Sequence, residues 1–268
     1  MLNLLRMDLY RIVHSKSFYI CFGALILCNF MTFGILLLLT NPTLRDLIMQ
    51  YGAELSAGSD QIKEALSTAS ILEVYRQGTI GGGLFSVSTG ILASLFICTD
   101  FDCGFIKNIM AAHENKWDYI LSKMCSLILI NLLYLVGSFI TLLPLNLISG
   151  GVFAWSSTAD ILFYLFSAWM VTNGLSALTM LICIVTRSKA AGIAGAICLN
   201  GGLIVMILNA LLGLFGLQWL TKYSLYVNLA SLPSSFEGNY SLQACITGLV
   251  FLVIYTVISK IVLTRRDI

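Results

Sequence analysis

Charge is scarce in this sequence: charged side chains make up 10% of its 268 residues, against about 25% in a soluble domain. Proline is rarer, with three residues, and histidine rarer still, with two. Each shortage excludes something. So little charge cannot clothe a soluble surface, and a net charge of +2 is too small to suggest a nucleic-acid partner. Both histidines, His14 and His113, stand outside the apolar runs, so a hydrolase working through a buried His base has no candidate. There is no G-x-x-x-x-G-K-[ST] to cradle nucleotide phosphates, and no H-E-x-x-H or paired-Cys motif to hold a metal. No ionisable residue falls at the middle of an apolar run, which removes the groups that proton relays and ion-coupled carriers need.

What is present is apolar surface: 58% hydrophobic residues and a mean hydropathy of +0.91. Charge-free runs occupy 17–44, 77–99, 124–159, 161–186, 190–221 and 238–259. Each exceeds the roughly 20 residues that cross a hydrocarbon core. The expectation is an all-α integral membrane protein with one membrane domain, 1–268, and no soluble domain. Six spans are predicted near 18–40, 78–99, 124–147, 161–185, 190–214 and 242–263. The runs are continuous rather than alternating, which argues against a membrane barrel. The first is about twice as long as a signal-peptide core and no A-x-A-like site follows it, so it is read as retained. With the N-terminus inside, 11 of the 15 Lys and Arg residues fall on the inner side. That imbalance places both termini in the cytoplasm of a multi-pass cell-membrane protein. The eight cysteines lie in or beside the spans and suggest small apolar core residues, not disulfides.

Residues 1–16, MLNLLRMDLYRIVHSK, put Leu2, Leu5, Leu9, Ile12 and Val13 at helical spacing, with Arg6, Arg11 and Lys16 mostly away from them. This predicts an interfacial helix with its cations near anionic headgroups. The loop 41–77 contains two stretches that read as short amphipathic helices capping the outer face, and the glycines at 81–83 break the chain just inside the second span. The aromatic segment 215–241, with Trp219, Tyr223, Tyr226, Phe236 and Tyr240, suits a headgroup-level belt or a re-entrant loop.

Asp100 and Asp102, in CTDFDCG, form a D-x-D pair that in other settings binds a divalent cation. The simpler reading is a polar helix end whose partners are nearby lysines. Asn131, Asn173, Asn200 and Asn209 read as buried hydrogen-bond glue between helices. Pro144 is expected to bend the third span, with Asn146 satisfying backbone freed there. Ala191 with Gly195, and Gly192 with Ala196, form overlapping small-x-x-x-small pairs for close packing within the subunit or across a dimer.

Between the second and third spans, Ile106, Ile109, Met110, His113, Trp117, Ile120 and Leu121 recur at three- and four-residue steps. They predict an amphipathic helix over 103–120 along the inner surface. Read with the basic amphipathic opening, the six spans and the short basic tail KIVLTRRDI, the stretch SLFICTDFDCGFIKNIMAAHENKWDYILSKM resembles the membrane subunit (permease) of a type-2 ATP-binding-cassette exporter. The resemblance spans the whole chain. It implies that Gly104, Lys107, Asn108, His113, Glu114, Lys116 and Trp117 belong to a coupling helix docked on an ATPase subunit. It also implies that 1–16 is the elbow helix and that 215–241 contains re-entrant helices. A proline common in the middle of that coupling helix is absent, and AAHEN stands there.

The resemblance further implies two ATP-binding-cassette ATPase subunits, with ATP and Mg bound there and no cofactor in this chain. A second permease, a copy or a paralogue, would complete the complex within the lipid bilayer, with a cavity beside the first, second and fifth spans. The small size and low charge resemble permeases for bacteriocin self-protection and for export of phenol-soluble-modulin-like toxins. The function expected is export of amphipathic peptides or hydrophobic compounds. The alternatives are a non-transporting scaffold or sensor, and a membrane-embedded lipid-modifying enzyme using Asp100 and Asp102.

Overall fold

A computed structural model describes residues 2–40, 70–106, 116–236 and 238–265. Every element named here is helical. In chain order they are α1 (Leu2–Val13), α2 (Lys16–Thr40), α3 (Ile71–Tyr75), α4 (Leu84–Asp102), α5 (Lys116–Ile148), α6 (Thr158–Thr186), α7 (Lys189–Gly195), α8 (Leu203–Leu214), α9 (Leu225–Ala230) and α10 (Gly238–Arg265). Among the described residues, five helices are long and apolar enough to cross a membrane. They become six when the bent pair Lys189–Asn200 and Leu203–Leu214 is taken as one span. This is the architecture of a multi-spanning membrane protein. In the interior, α10 packs most extensively along α6, α6 along α4, and α4 against α2 and α7, while α1 leans on α5.

The fifth span and the approach to the second are broken in the same way. α3 continues into a π-helical turn, Arg76–Gly81, and α7 into another, Ala196–Asn200. Each ends in a glycine with left-handed backbone, Gly83 at φ +72° and Gly202 at φ +81°, a conformation that costs a side-chain-bearing residue strain. Each glycine starts a new helix, and α8 turns 51° from its predecessor. The two breaks meet: a Cβ on Gly83 would lie 3.4 Å from Gly201 Cα and 3.5 Å from the Asn200 carbonyl oxygen. Hydrogen bonds close the joint. Ser86 Oγ donates to the Asn200 carbonyl at 2.8 Å, and Asn200 Nδ2 donates to the Ser86 carbonyl at 3.1 Å. The glycine break expected at 81–83 is therefore present, with a counterpart at 201–202.

Several boundaries differ from the sequence reading. Of the two stretches expected to cap the outer face, 44–55 and most of 59–77 lie outside the described residues; at the end of the second, Ile71, Leu72, Val74 and Tyr75 are all buried. Tyr75 donates to the Leu135 carbonyl at 3.2 Å and shares a hydrogen bond with Ser138. The third span starts at Lys116, not 124, because no breaker separates 116 from the apolar run and Tyr119, Ile120, Ser122 and Lys123 all turn inward. The last span begins at Gly238 and ends at Arg265. Segment 215–241 contributes a 3₁₀ turn, Gln218–Tyr223, and the short α9, whose Leu225 and Leu229 are buried. Trp219, Tyr223, Phe236 and Tyr240 are exposed.

The polar residues inside the bundle act mainly as connectors. Asn131 Nδ2 donates to Asn173 Oδ1 and to Ser176 Oγ, each at 2.9 Å, as the glue reading expected. Asn209 is exposed instead of buried and meets Thr221. Asn146 does not reach backbone freed by Pro144; its amide clips both backbone groups of Phe153, which it holds beneath the turn after α5. Asn29, which the sequence reading passed over, takes a hydrogen bond from Thr79 and gives one to the Ser138 carbonyl at 2.9 Å. All eight cysteines are free.

Candidate functional site: a buried ion quartet flanking the 107–115 connector

The stripe of α1 that faces the bundle is Leu4, Asp8 and Ile12, one residue per turn at i, i+4, i+8. The sequence reading set the apolar face on Leu2, Leu5, Leu9, Ile12 and Val13. Leu2 proves 81% exposed, and the buried stripe carries a carboxylate at its centre. The reason lies on α5, where Tyr119, Ser122, Lys123 and Ser126 make a polar face at three- and four-residue spacing. An acid on α1 is drawn to a cation on α5, and that sets the phase of the helix.

Lys123 lies at the centre. Its Nζ is 2.7 Å from Asp8 Oδ1 and 2.6 Å from Asp100 Oδ2, and its own side chain is 1% exposed. The same ammonium sits 3.9 Å from the centre of the Phe96 ring, a cation–π contact that strengthens when desolvated. Ser122 Oγ donates to the other Asp8 oxygen at 2.8 Å. Asp100 Oδ1 accepts from Arg11 Nη2 at 2.8 Å, and its Oδ2 accepts also from Tyr119 at 3.2 Å. Arg11 in turn lies over the Phe105 ring. Two acids and two bases thus cancel in charge, and each carboxylate oxygen has a donor. That is the condition under which buried ions are tolerated.

The simpler reading of Asp100, a helix end paired with a nearby lysine, holds. The paired D-x-D reading gains no geometry. Asp100 is fully buried in the quartet, while Asp102 is half exposed and bound to Lys189 at 2.8 Å. Among the described residues no three metal-ligating side chains gather. Arg11, whose side chain is 31% exposed, is also a member of the quartet through Asp100. Arg6 and Lys16 are exposed as expected.

The quartet occupies both flanks of the predicted coupling helix. On one side, α4 ends at Asp102, and Gly104 turns the chain at φ +65°, so no helix runs unbroken through 103–104. Lys107, Asn108, His113 and Glu114 fall outside the described residues. On the other side, Lys116 and Trp117 belong to the first turn of α5, not to a separate helix. They face α10: Lys116 Nζ donates to the Leu263 carbonyl at 3.3 Å, and Lys260 lies 5.4 Å from the Trp117 ring centre. Trp117 is half-buried there.

The small residues of the fifth span pack inside the subunit. A Cβ on Gly192 would lie 2.7 Å from Cys183 Sγ and 3.0 Å from Ser94 Cβ, and one on Gly195 would lie 3.1 Å from the Ile182 side chain. Ala196 is fully buried and Ala191 half-buried. The sequence left two packing partners open; for Gly192, Gly195 and Ala196 the neighbours are α4 and α6.

Lys123 and Asp8 were the residues that sequence reasoning missed. The available signal was a lone lysine at the edge of an apolar run, preceded by Tyr119 and Ser122 on one helical face. No protein-family model matches the chain, and no curated protein matches it.

Proposed function

We propose that this chain is the transmembrane subunit of an ATP-driven exporter, moving amphipathic peptides or hydrophobic compounds out of the cell. A separate pair of ATP-binding-cassette ATPases, holding ATP and Mg, supplies the energy, and a second copy or a paralogue completes the pathway. Both termini lie in the cytoplasm, α1 is the elbow helix, and the connector around 107–115 is the surface that the ATPase grips.

The observation that carries this reading is the ion quartet. It ties α1, the end of α4 and the start of α5 into one block at the two flanks of that connector. A push on the connector would pass to three helices together instead of being lost in bending. At the other end of α4, the glycine joint at Gly83 and Gly202 gives the second and fifth spans a place to flex. A scaffold protein would need the gripping surface but not this combination of rigid block and hinge.

The test is purification of the tagged protein from its native membrane, followed by reconstitution into proteoliposomes. An ATPase should copurify, and the reversed-charge variant Lys107→Glu/Glu114→Lys should lose it while remaining folded. ATP should then drive movement of a fluorescent amphipathic peptide only with the intact pair. No ATPase with the wild-type protein would sink the exporter reading and leave the scaffold.

A further inference from the structure

Beside the quartet lies a cavity of about 480 Å³, many times the roughly 30 Å³ share of one water. The corner between α1 and α2 contributes Arg11, His14 and Ser15, the start of α7 contributes Lys189, and Leu92 and Leu95 of α4 form an apolar wall. Among the described residues that line it there is no carboxylate. Arg11 donates Nη2 to Asp100, yet its side chain stays 31% exposed where it lines the cavity. Lys189 carries three donors and pairs with Asp102 in the open, its side chain 42% exposed. On the neighbouring surface of α2, Tyr19 and Ile20 are 61% and 70% exposed, which is the apolar exterior that lipid chains cover. Cations above, an apolar wall beside them and lipid-facing residues next to both match one kind of ligand.

We infer that this cavity binds the anionic headgroup of a phospholipid from the leaflet in which α1 lies, with the phosphate between Arg11 and Lys189 and the glycerol and first methylenes against Leu92 and Leu95. The inference rests on the membrane placement of the helices and is independent of the exporter reading. A phosphate there would give the exposed part of the Arg11 side chain an anionic partner beside the quartet. It would also bridge α1 to α7, two elements that otherwise meet through Asp102 and Asp100 on α4. The bound lipid would thus be part of the block around the connector, and an anionic headgroup would favour it over a zwitterionic one by electrostatics.

The experiment is native mass spectrometry of the full-length protein, purified in mild detergent with any partners it retains. The probes are phosphatidylglycerol, phosphatidylcholine with the same chains, and inorganic phosphate. Phosphatidylglycerol should bind more tightly than phosphatidylcholine. Lys189→Gln should weaken that binding about fivefold, the effect of one cation near the membrane surface, whereas Lys222→Gln, an exposed cation far along the chain, should not. Leu95→Trp, which fills the cavity without touching a charge, should weaken it as well. Arg11 is left intact because its loss would unbalance the quartet. Equal binding of the two lipids, or wild-type binding by both Lys189→Gln and Leu95→Trp, would overturn the proposal. Displacement of the lipid by millimolar inorganic phosphate would also overturn it, since the ligand would then be a free anion.

Discussion

At Asp100, α4 is held by charge: an arginine, a lysine and a tyrosine close on one carboxylate that water does not reach. At its other end α4 is held by neutral groups, the Ser86 hydroxyl and the Asn200 side-chain amide each donating to the other residue's carbonyl, and the close contact of Gly83 with Gly201. The two ends use polar interactions of similar length for opposite purposes. A buried ion pair is unforgiving, because any displacement leaves charge without a partner. A neutral hydrogen bond at a glycine joint costs far less to stretch, about 0.6 kcal/mol on average between membrane helices, and the glycines allow backbone rotation that other residues resist. One end of the helix is therefore a lock and the other a hinge.

The largest effect should come from unbalancing the lock. Lys123→Met leaves Asp8 without its cation and should cost about 3–5 kcal/mol, read as a lower unfolding midpoint in detergent or loss of folded protein from the membrane. The double variant Asp8→Asn/Lys123→Met keeps Asp100 with Arg11 and restores neutrality, so it should recover most of that loss. If the double variant is as unstable as the single, packing and not charge holds this end, and the contrast with the hinge collapses.

The next effect is at the hinge. A Cβ on Gly202 would lie 2.3 Å from Tyr226 ring carbons in a backbone at φ +81°. Gly202→Ala should therefore destabilise by about 1–3 kcal/mol. Adding Tyr226→Ala should return only the steric part, since the backbone strain remains. Full recovery would mean that the left-handed backbone matters little and that the joint is a packing contact.

Asn200→Ala should cost about 1 kcal/mol, by removing the donations to the Ser86 carbonyl and to Thr179 Oγ1 at 3.2 Å. The same assay then measures lock and hinge on one scale. A cost equal to that of Lys123→Met would erase the distinction between them.

The smallest effect shows what an ion pair does when water stays close. Burial alone would raise the Glu73 carboxyl, but hydrogen bonds from Arg76, Gln77 and Ser234 outweigh it and hold the group below its ordinary range. Its folded pKa is thus depressed, so the contribution is complete above the ordinary carboxylate range and fades as pH falls through the depressed value. Glu73→Gln should cost about 0.5 kcal/mol at neutral pH, and the gap from wild type should close on acidification. A gap that stays constant with pH would assign the contact to packing.

Much of this was legible in advance. The charge-free runs located the spans because a hydrocarbon core demands length and lack of charge, and nothing else in the sequence could satisfy both. The glycines at 81–83 announced a break for the same local reason, and Asn131 and Asn173 were recognisable as glue because an amide in such a run has few other uses. The quartet was not legible. Lys123 was counted as a cation of the inner side and Asp8 not weighed at all, because pairing between residues 8 and 123 is invisible to any periodicity within one segment. Asn200 was seen, but its partner at Ser86 was not, for the same reason.

The sequence by itself determined that this chain is helical, apolar and many times long enough to cross a membrane. Those properties are sums over neighbouring residues, fixed by propensity and hydropathy. Only the tertiary structure decided the phase of α1, the start of α5 and the role of Arg11, which proved to be the partner of Asp100. The energy that settles those choices comes from neutralising buried charge across distant segments, and charge pairs form in space, not along the chain.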